Sequence, residues 1–236
     1  MSGRATVLGN ISARLRRGAD AAHGVVHPGE GVAANEAVST PVPVPQDLLV
    51  ERFTAELTAI AGRVHRAATA REAIATVIGL CREHGASRVL SWAPEWVGVP
   101  GLDDGLAANG IAVDRGWIPD GGDRSDRLAA LDPIRVGITG AFAGIAESGT
   151  IAVVSGAGRS RLASLLTPVH IAVLRADCMY ASLTAFLAAH VDIAEQGSNL
   201  VLITGPSRTA DIEMTLTRGV HGPGEIHVVV LENAVR

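Results

Sequence analysis

The chain has 236 residues, of which 47% are hydrophobic and only 3% aromatic, so one domain with an aliphatic core is expected. Its net charge of −4 gives no reason to expect nucleic acid or an anionic membrane as a partner. All 20 basic residues are arginine, which excludes a Schiff-base lysine and the lysine of a phosphate-binding P-loop.

Cysteine and histidine usage argues against a redox or metal centre in this chain. The two cysteines, Cys81 and Cys178, are too few for a four-thiolate iron–sulfur cluster and lack the spacing of a zinc site. No HxH or HExxH pattern occurs, so no metal ligands are expected. With no disulfide framework, signal-peptide core or membrane-length apolar run, the sequence predicts a cytoplasmic protein.

The N-terminal region differs in composition from the rest of the chain. Residues 5–17 have apolar positions at helical spacing and predict a short helix. Residues 18–45 have no sustained period and contain three closely spaced prolines, which is typical of a linker. We therefore expect an N-terminal segment at 1–46 and a folded domain at 47–236.

The folded domain is predicted to begin with two amphipathic helices. The first spans about 47–62 with Asp47 as its N-cap, and the second spans about 71–84 and ends near Gly85. Further helical segments are expected at 141–146, 180–190 and 209–218, and a loop at 119–126. Strands are expected at 87–92, 111–113, 135–140, 149–155, 169–175, 199–205 and 225–232. This mixture predicts a three-layer α/β/α fold without a pure Rossmann alternation.

Four clusters of polar and glycine residues follow apolar runs in the second half of the chain. The first comprises Thr139, Gly140, Glu147, Ser148, Gly149 and Thr150. A carboxylate in a glycine-rich turn between two strands can act as base, nucleophile or hydrogen-bond acceptor. The alternative is that Glu147 only caps backbone N–H groups.

The second cluster is the glycine-rich turn at 155–161, which contains Arg159 and Arg161. Its N–H groups and guanidinium groups can bind an anion, although loop arginines are commonly just solvated.

The third cluster lies at a predicted strand-to-helix junction and contains Ser207, Arg208, Thr209 and Asp211. Arg208 can clamp a carboxylate or phosphate beside free helix N–H groups, and Ser207 and Thr209 can either cap the helix or donate to a ligand.

The fourth cluster places His221 between glycines, where it can transfer a proton, bind a ligand or bond the backbone of its own turn. His170 and His227 lie inside apolar strands and are interpreted as packing residues. Because open α/β sheets bind ligands at the carboxyl ends of their strands, we expect the strand ends near residues 140, 155 and 205 to line one cleft.

The order of these clusters strongly resembles the LUD-domain family. The matching segments are Gly137–Ala141, Ala146–Thr150, Arg159–Arg161, Pro168–Val173, Ser198–Asn199, Gly205–Glu213 and Gly219–Pro223. The departures are Ser148, where threonine is usual, and Thr167, where a second proline is common.

The resemblance implies a NagB/RpiA/CoA-transferase-like fold with a mixed, mostly parallel sheet. It implies a non-redox subunit that takes part in oxidising L-lactate to pyruvate with iron–sulfur proteins of the lactate-utilisation operon, and a small anionic ligand such as lactate or pyruvate. The alternative is a stand-alone enzyme of the CoA-transferase or sugar-phosphate-isomerase type acting on an anionic substrate. In that enzyme Glu147 would resemble the catalytic glutamate of CoA-transferases and Arg208 would anchor the substrate.

Overall fold

The computed structural model describes residues 44–119, 123–210, 216–218 and 221–232. The predicted helix at 5–17, the predicted linker up to residue 43 and Asp211 lie outside them. The strands in this part of the chain are β1 (Arg63–Ala67), β2 (Arg88–Ser91), β3 (Ala112–Asp114), β4 (Val136–Ala141), β5 (Ala143–Ile145), β6 (Thr150–Ser155), β7 (Val169–Arg175), β8 (Met179–Tyr180), β9 (Asn199–Ile203), β10 (Arg208–Ala210), β11 (Leu216–Arg218) and β12 (Glu225–Leu231).

Seven α-helices and two short 3-10 helices connect the strands within the described ranges. The α-helices are α1 (Gln46–Ala59), α2 (Ala70–Glu83), α3 (Pro94–Val97), α4 (Leu102–Ala108), α5 (Arg124–Leu131), α6 (Leu162–Leu165) and α7 (Leu183–Ala189), and the 3-10 helices are Ala176–Cys178 and Ile193–Glu195. None of the helices described is long and apolar enough to cross a membrane.

A six-stranded sheet forms the centre of the domain, in the order β1-β12-β7-β4-β2-β3, and every neighbouring pair is parallel. Its central strands read as nearly continuous buried runs, as expected of a parallel sheet covered on both faces. The predicted α/β class is therefore confirmed.

Two glycines of β4 show how closely helices approach both faces of this sheet. A Cβ at Gly137 would lie only 1.8 Å from the carbonyl oxygen of Ala163 in α6. A Cβ at Gly140 would lie 2.0 Å from the carbonyl oxygen of Trp96 in α3. Because positions three apart in a strand point to opposite faces, α6 and α3 cover opposite sides and make the sheet the middle of three layers.

A second sheet has four strands in the order β8-β5-β6-β9. β6 pairs antiparallel with both β5 and β9, and β5 pairs parallel with β8. The predicted helical turn at 141–146 is wrong, because this segment turns directly from β4 into β5, which is stabilised by pairing on both sides. Short apolar runs do not distinguish a helical turn from such a strand.

The predicted helix at 209–218 is also wrong for the residues that the structure describes. Residues 208–210 and 216–218 form the antiparallel pair β10 and β11, with Arg208 opposite Arg218 and Thr209 opposite Thr217. β-branched residues such as these threonines favour strand pairing over helix.

Smaller differences occur at the helix boundaries. Pro45 rather than Asp47 is the N-cap of α1, and Asp47 lies in the first turn. Residues 124–131 form α5 although they overlap the predicted loop at 119–126. The predicted end of α2 is confirmed, because Gly85 follows it with φ of +63°, a conformation that glycine adopts without strain.

Candidate functional site

The structure separates the four polar clusters into two places. β9 runs antiparallel to β6, so Ile203 pairs with Ile151 at the start of β6 and Asn199 pairs with Ser155 at its end. The residues after β9 therefore lie beside the first cluster, whereas the turn after Ser155 lies at the opposite end of the second sheet. The expectation of one shared cleft is wrong for this reason.

A chain of three hydroxyl groups connects the first cluster to the third. The Ser148 Oγ lies 2.7 Å from the Thr150 Oγ1, which lies 2.7 Å from the Thr204 Oγ1. Gly149 has φ of +61°, and a Cβ there would lie 2.4 Å from the Leu57 nitrogen in α1. The glycine therefore lets this turn contact the helix backbone and holds the hydroxyl chain in place.

A backbone hydrogen bond joins the third cluster to the fourth, because the Ser207 N–H donates to the Pro223 carbonyl at 2.8 Å. Arg208 is exposed, and its guanidinium donates to the Ile60 carbonyl at the end of α1. Since Arg208 lies in β10, its predicted position before a helix N-terminus is wrong. Its role in anion binding stays a prediction.

Residues of the third and fourth clusters line a small cavity of about 220 Å³ that we call the histidine pocket. The first cluster contacts two of its lining residues, because Thr139 lies against His170 and Thr150 against Thr204. It is lined by Ser164, Leu165, His170, Leu202, Ile203, Thr204, Gly205, Ser207, His221, Gly222, Pro223 and Ile226. Leu202 and Thr204 are exposed at its rim, as is His221. Thus the predicted residues Ser207 and His221 share one pocket with Thr204, the last member of the hydroxyl chain.

His170 is the polar group buried deepest in this pocket, with 1% of its surface exposed. Its Nε2 lies 2.8 Å from the Oγ1 of Thr139, which is the contact that Thr139 of the first cluster makes. Its Nδ1 has no hydrogen-bond partner in the described part of the chain. Burial lowers the pKa of His170 to about 4, so the imidazole is neutral near pH 7.

The interpretation of His170 as a satisfied packing residue is therefore incomplete, because one ring nitrogen is unpaired beside a cavity. The sequence did contain one signal for this role, namely a histidine inside an otherwise apolar strand. Ser164 and Thr204 were missed because nothing in their local sequence marks them as neighbours of His170.

Glu147 has a structural role that fits the capping alternative. Its side chain is exposed, and its Oε1 accepts a 2.8 Å hydrogen bond from the Leu183 N–H at the start of α7. Gly140 is packed against the backbone of α3 and does not reach the histidine pocket. Catalysis by Glu147 and ligand binding by Gly140 remain predictions.

The second cluster lines a separate cavity of about 590 Å³ that we call the arginine cleft. Its lining residues are Arg115, Gly116, Trp117, Ile118, Arg124, Leu128, Ser155, Gly156, Ala157, Gly158, Arg159, Ser160, Arg161, Leu162 and Ser198. Four of these are arginines and none is acidic, so this part of the described surface favours an anion.

The four arginines are not equally available to a ligand. Arg159 is 8% exposed, donates to the Gln196 carbonyl at 2.7 Å and lies 4.1 Å from the centre of the Trp96 ring. Arg115 bonds Asp103 and the Trp92 carbonyl. The guanidinium groups of the other two, Arg124 and Arg161, have no partner among the residues that the structure describes.

Comparison with known proteins identifies the family. The family model described as "LUD domain" matches residues 50–231. The chain is 31% identical over 236 residues to lactate utilization protein C of Halalkalibacterium halodurans, covering 98% of each protein. It is 32% identical over 154 residues to lactate utilization protein C of Shouchella clausii, which covers 64% of this chain and 65% of that protein.

A solved structure has the same fold. The 1.70 Å crystal structure of a DUF162 family protein from Deinococcus radiodurans superposes with a TM-score of 0.59 and 21% identity, covering 80% of this chain and 99% of that one. At this identity the likeness establishes the fold alone. The family model spans most of the domain, and the full-length relative agrees with it, so this chain belongs to the LUD-domain family.

Proposed function

We propose that this chain is a cytoplasmic, non-redox subunit of an L-lactate-oxidising system and that it binds lactate or pyruvate in the histidine pocket. Relatives that carry the name lactate utilization protein C support the metabolic role. The observation that carries the ligand site is one pocket that brings Ser207 and His221 together with His170, whose Nδ1 is unpaired among the described residues. A cavity of about 220 Å³ suits a small metabolite better than a drug-sized molecule.

The hydrogen bond between His170 and Thr139 allows two tautomers of the imidazole, one suited to lactate and the other to pyruvate. When the His170 Nε2–H donates to the Thr139 hydroxyl, Nδ1 carries a lone pair that can accept a hydrogen bond from the hydroxyl group of lactate. When the Thr139 hydroxyl rotates and donates to Nε2, Nδ1 carries a proton and donates to the keto oxygen of pyruvate. A neutral imidazole therefore serves either ligand without a buried charge.

The hydroxyl-bearing residues around the pocket are suited to the ligand carboxylate. Ser164, Thr204 and Ser207 line the cavity and carry hydroxyl groups that can donate hydrogen bonds. The Ser164 hydroxyl donates to the Arg161 carbonyl and the Thr204 hydroxyl bonds that of Thr150, so both would have to rotate to donate to a ligand. Bonds to a charged acceptor are worth about 1.5–3 kcal/mol each, roughly twice those to a neutral group. Several such bonds can compensate for the desolvation of one carboxylate.

Oxidation of lactate to pyruvate releases two electrons and two protons, which must pass to another centre. Two cysteines cannot supply the four thiolates of an iron–sulfur cluster, so we assign the electron acceptor to iron–sulfur partner proteins. On this proposal the chain positions the substrate and the partners carry the electrons.

The ligand site is tested by calorimetry with L-lactate and with pyruvate. Ser207→Ala should weaken binding by roughly threefold to tenfold, the range of one hydrogen bond. His170→Gln, which cannot alternate between tautomers, should weaken it further. Arg161→Gln is the matched control in the arginine cleft and should bind like wild type. If only Arg161→Gln weakens binding, the ligand lies in the cleft and the pocket assignment fails.

The partnership is tested by purifying the tagged chain from its native host under anaerobic conditions. We expect co-purified proteins with the broad visible absorption of iron–sulfur clusters. Recovery of the chain alone, with no iron and with unimpaired lactate oxidation in the remaining extract, would contradict the proposal.

A further inference from the structure

Three side chains converge on the opposite face of the central sheet from the histidine pocket. In β12, Ile226 lines that pocket, so its neighbours Glu225 and His227 point to the other face. There the Glu225 Oε2 lies 3.8 Å from the His227 Nε2 and 4.0 Å from the Nε2 of His84, which follows α2. All three atoms lie within 4.8 Å of one another.

Both histidine nitrogens that face this gap are buried and unpaired. Neither the His84 Nε2 nor the His227 Nε2 has a hydrogen-bond partner among the residues that the structure describes, and His227 is fully buried. A buried polar atom without a partner destabilises the fold by an amount comparable to a lost hydrogen bond, so native proteins rarely leave two side by side. A cation held between the two nitrogens would satisfy both of them.

The orientation of the His227 ring is fixed by a contact of its other nitrogen, Nδ1. Its Nδ1 lies 3.0 Å from the Nε2 of His65, and the two rings stack with centroids 5.2 Å apart. When this Nδ1–H donates to His65, the His227 Nε2 carries a lone pair directed at the gap. Metal-binding histidines commonly have such a hydrogen bond on their second nitrogen.

We propose that His84, Glu225 and His227 bind a divalent transition-metal ion, with Zn²⁺ as the best fit. Two imidazoles and one carboxylate form a donor set that zinc accepts, with a fourth position left for water or a ligand. Donors around a tetrahedral zinc lie roughly 3.3 Å apart, so the Glu225 Oε2 needs to approach the two histidine nitrogens by about 0.5–0.7 Å. The half-exposed Glu225 side chain can make that movement. The two histidine nitrogens, which lie within 4.8 Å of each other, need to close by up to about 1.5 Å, which requires small rotations of both rings.

The site adjoins an open cavity of about 660 Å³ at the amino edge of the sheet. Arg63, Gly224 and Glu225 are among its lining residues. This cavity gives the metal a route from solvent and gives its fourth coordination position room for an exogenous ligand. The site does not depend on lactate binding in the histidine pocket.

Arg63 is the main competitor for the proposed metal. Its Nη1 lies 3.5 Å from the Glu225 Oε2 and 3.9 Å from Glu83. A bound divalent cation must displace this guanidinium from Glu225. Both Arg63 and Glu83 are largely exposed, so Arg63 can leave Glu225 and keep its contact with Glu83 without a change in the fold.

The test uses full-length protein that has been treated with a chelator and then titrated with Zn²⁺ in a calorimeter. Wild type should bind one ion per chain. His84→Ala and Glu225→Gln should each weaken binding by more than the roughly 10–100-fold that loss of an outer-shell partner causes. Glu83→Gln is the matched control, because it removes an acid near Arg63 without touching the three ligands, and it should bind like wild type.

Two further variants keep the proposal testable if His84→Ala does not fold. Arg63→Gln should bind Zn²⁺ more tightly than wild type, since the competing cation is gone. His65→Phe keeps a ring on His227 but removes the hydrogen bond, and should weaken binding by about 10–100-fold. No uptake by wild type, or equal affinity in wild type and Glu225→Gln, would overturn the proposal and show adventitious binding only.

Discussion

The histidine pocket and the arginine cleft differ in size, in the charge of their lining residues and in how far apart those residues lie in the chain. The pocket is small, contains a buried and neutral histidine, and is assembled from segments far apart in the chain. The cleft is larger, lined by arginines, and built mainly from two local segments. The pocket therefore depends on the fold around it, whereas the cleft depends mainly on its own charges.

In the pocket, folding stability and ligand binding depend on the same residues. In the cleft, ligand binding depends on charged residues that contribute little to folding stability. Buried polar groups such as His170 affect both folding and ligand binding, because a lost partner leaves an unsatisfied atom in the core. Exposed arginines can be replaced with little effect on folding. The following predictions test that separation, from the largest expected effect to the smallest.

Gly137→Ala should damage both sites, because they share α6. The new Cβ would lie 1.8 Å from the Ala163 carbonyl oxygen, and backbone atoms cannot move aside as a flexible side chain can. We expect the free energy of unfolding to fall by more than about 3 kcal/mol, the upper part of the usual range for overpacking. Urea denaturation measures it.

The control for this substitution is Gly79→Ala in α2, where no atom lies within 4 Å of the new Cβ. It should stabilise the protein by about 0.5–1 kcal/mol through helix propensity. Similar unfolding curves for the two variants would show that the contact between β4 and α6 can relax.

Lowering the pH should destabilise the protein through the histidine pocket. The folded-state pKa of His170 is lowered to about 4 by burial, so between pH 6.5 and pH 4 the unfolded chain binds a proton that the folded chain does not. Its contribution is complete above about pH 6.5 and is lost as the pH falls towards 4. His170→Gln should lose on the order of 3 kcal/mol less than wild type over that range.

This prediction is checked by urea denaturation at several pH values from 7.5 to 4.5. His227 complicates the wild-type curve, because its pKa is lowered to a similar value. The difference between His170→Gln and wild type isolates the pocket. An identical pH dependence in the two proteins would show that His170 is solvated in solution.

Thr139→Val removes the only hydrogen bond found for the His170 side chain among the described residues. It leaves the Nε2 as unsatisfied as the Nδ1, so the free energy of unfolding should fall by about 1–3 kcal/mol. Thr76→Val is the control, since the Thr76 hydroxyl is exposed and bonds only the carbonyl of its own helix. If both valine variants behave alike under thermal denaturation, the contact between Thr139 and His170 contributes nothing.

Arg208→Ala should lower stability by about 0.5–1 kcal/mol, because the guanidinium donates to the Ile60 carbonyl at the end of α1. Pyruvate affinity should change less than in Ser207→Ala. A tenfold or larger loss of affinity with unchanged stability would instead identify Arg208 as a ligand-binding residue, as the sequence alone suggests.

Arg161→Gln should change the free energy of unfolding by no more than about 0.5 kcal/mol, as is usual for surface positions. The guanidinium has no partner among the residues described here, so folding should not depend on it. A destabilisation as large as that of Thr139→Val would mean that Arg161 has a structural contact and that the cleft is not independent of the fold.

The strands of the central sheet were largely predictable from sequence, and the second sheet was not. The runs at 135–140 and 169–175 are continuous and apolar, and they lie in β4 and β7. β5 has only three residues, and its stability comes from pairing with β6 and β8. Short strands of this kind are specified by partners that local periodicity does not reveal.

The residues of the histidine pocket were partly predictable, but their grouping was not. Glycine-rich clusters marked Ser207 and His221 of the pocket, and also Thr139 and Thr150, whose hydroxyl groups contact the pocket residues His170 and Thr204. The antiparallel pairing of β6 with β9 decides which of these turns meet, and no single-strand pattern encodes that direction. His84 and His227, two ligands of the proposed metal site, are also far apart in sequence. No local motif could therefore mark them.

The single helical turn α6 lies between the two sites and has a thermodynamic consequence. Ser164 and Leu165 line the histidine pocket. Leu162, the first residue of the same helical turn, lines the arginine cleft together with Arg161. A ligand that displaces this turn from either side changes the affinity of the other site, and linkage requires the effect to be equal in both directions. Occupancy of one site would then be measurable as a shift in the dissociation constant of the other.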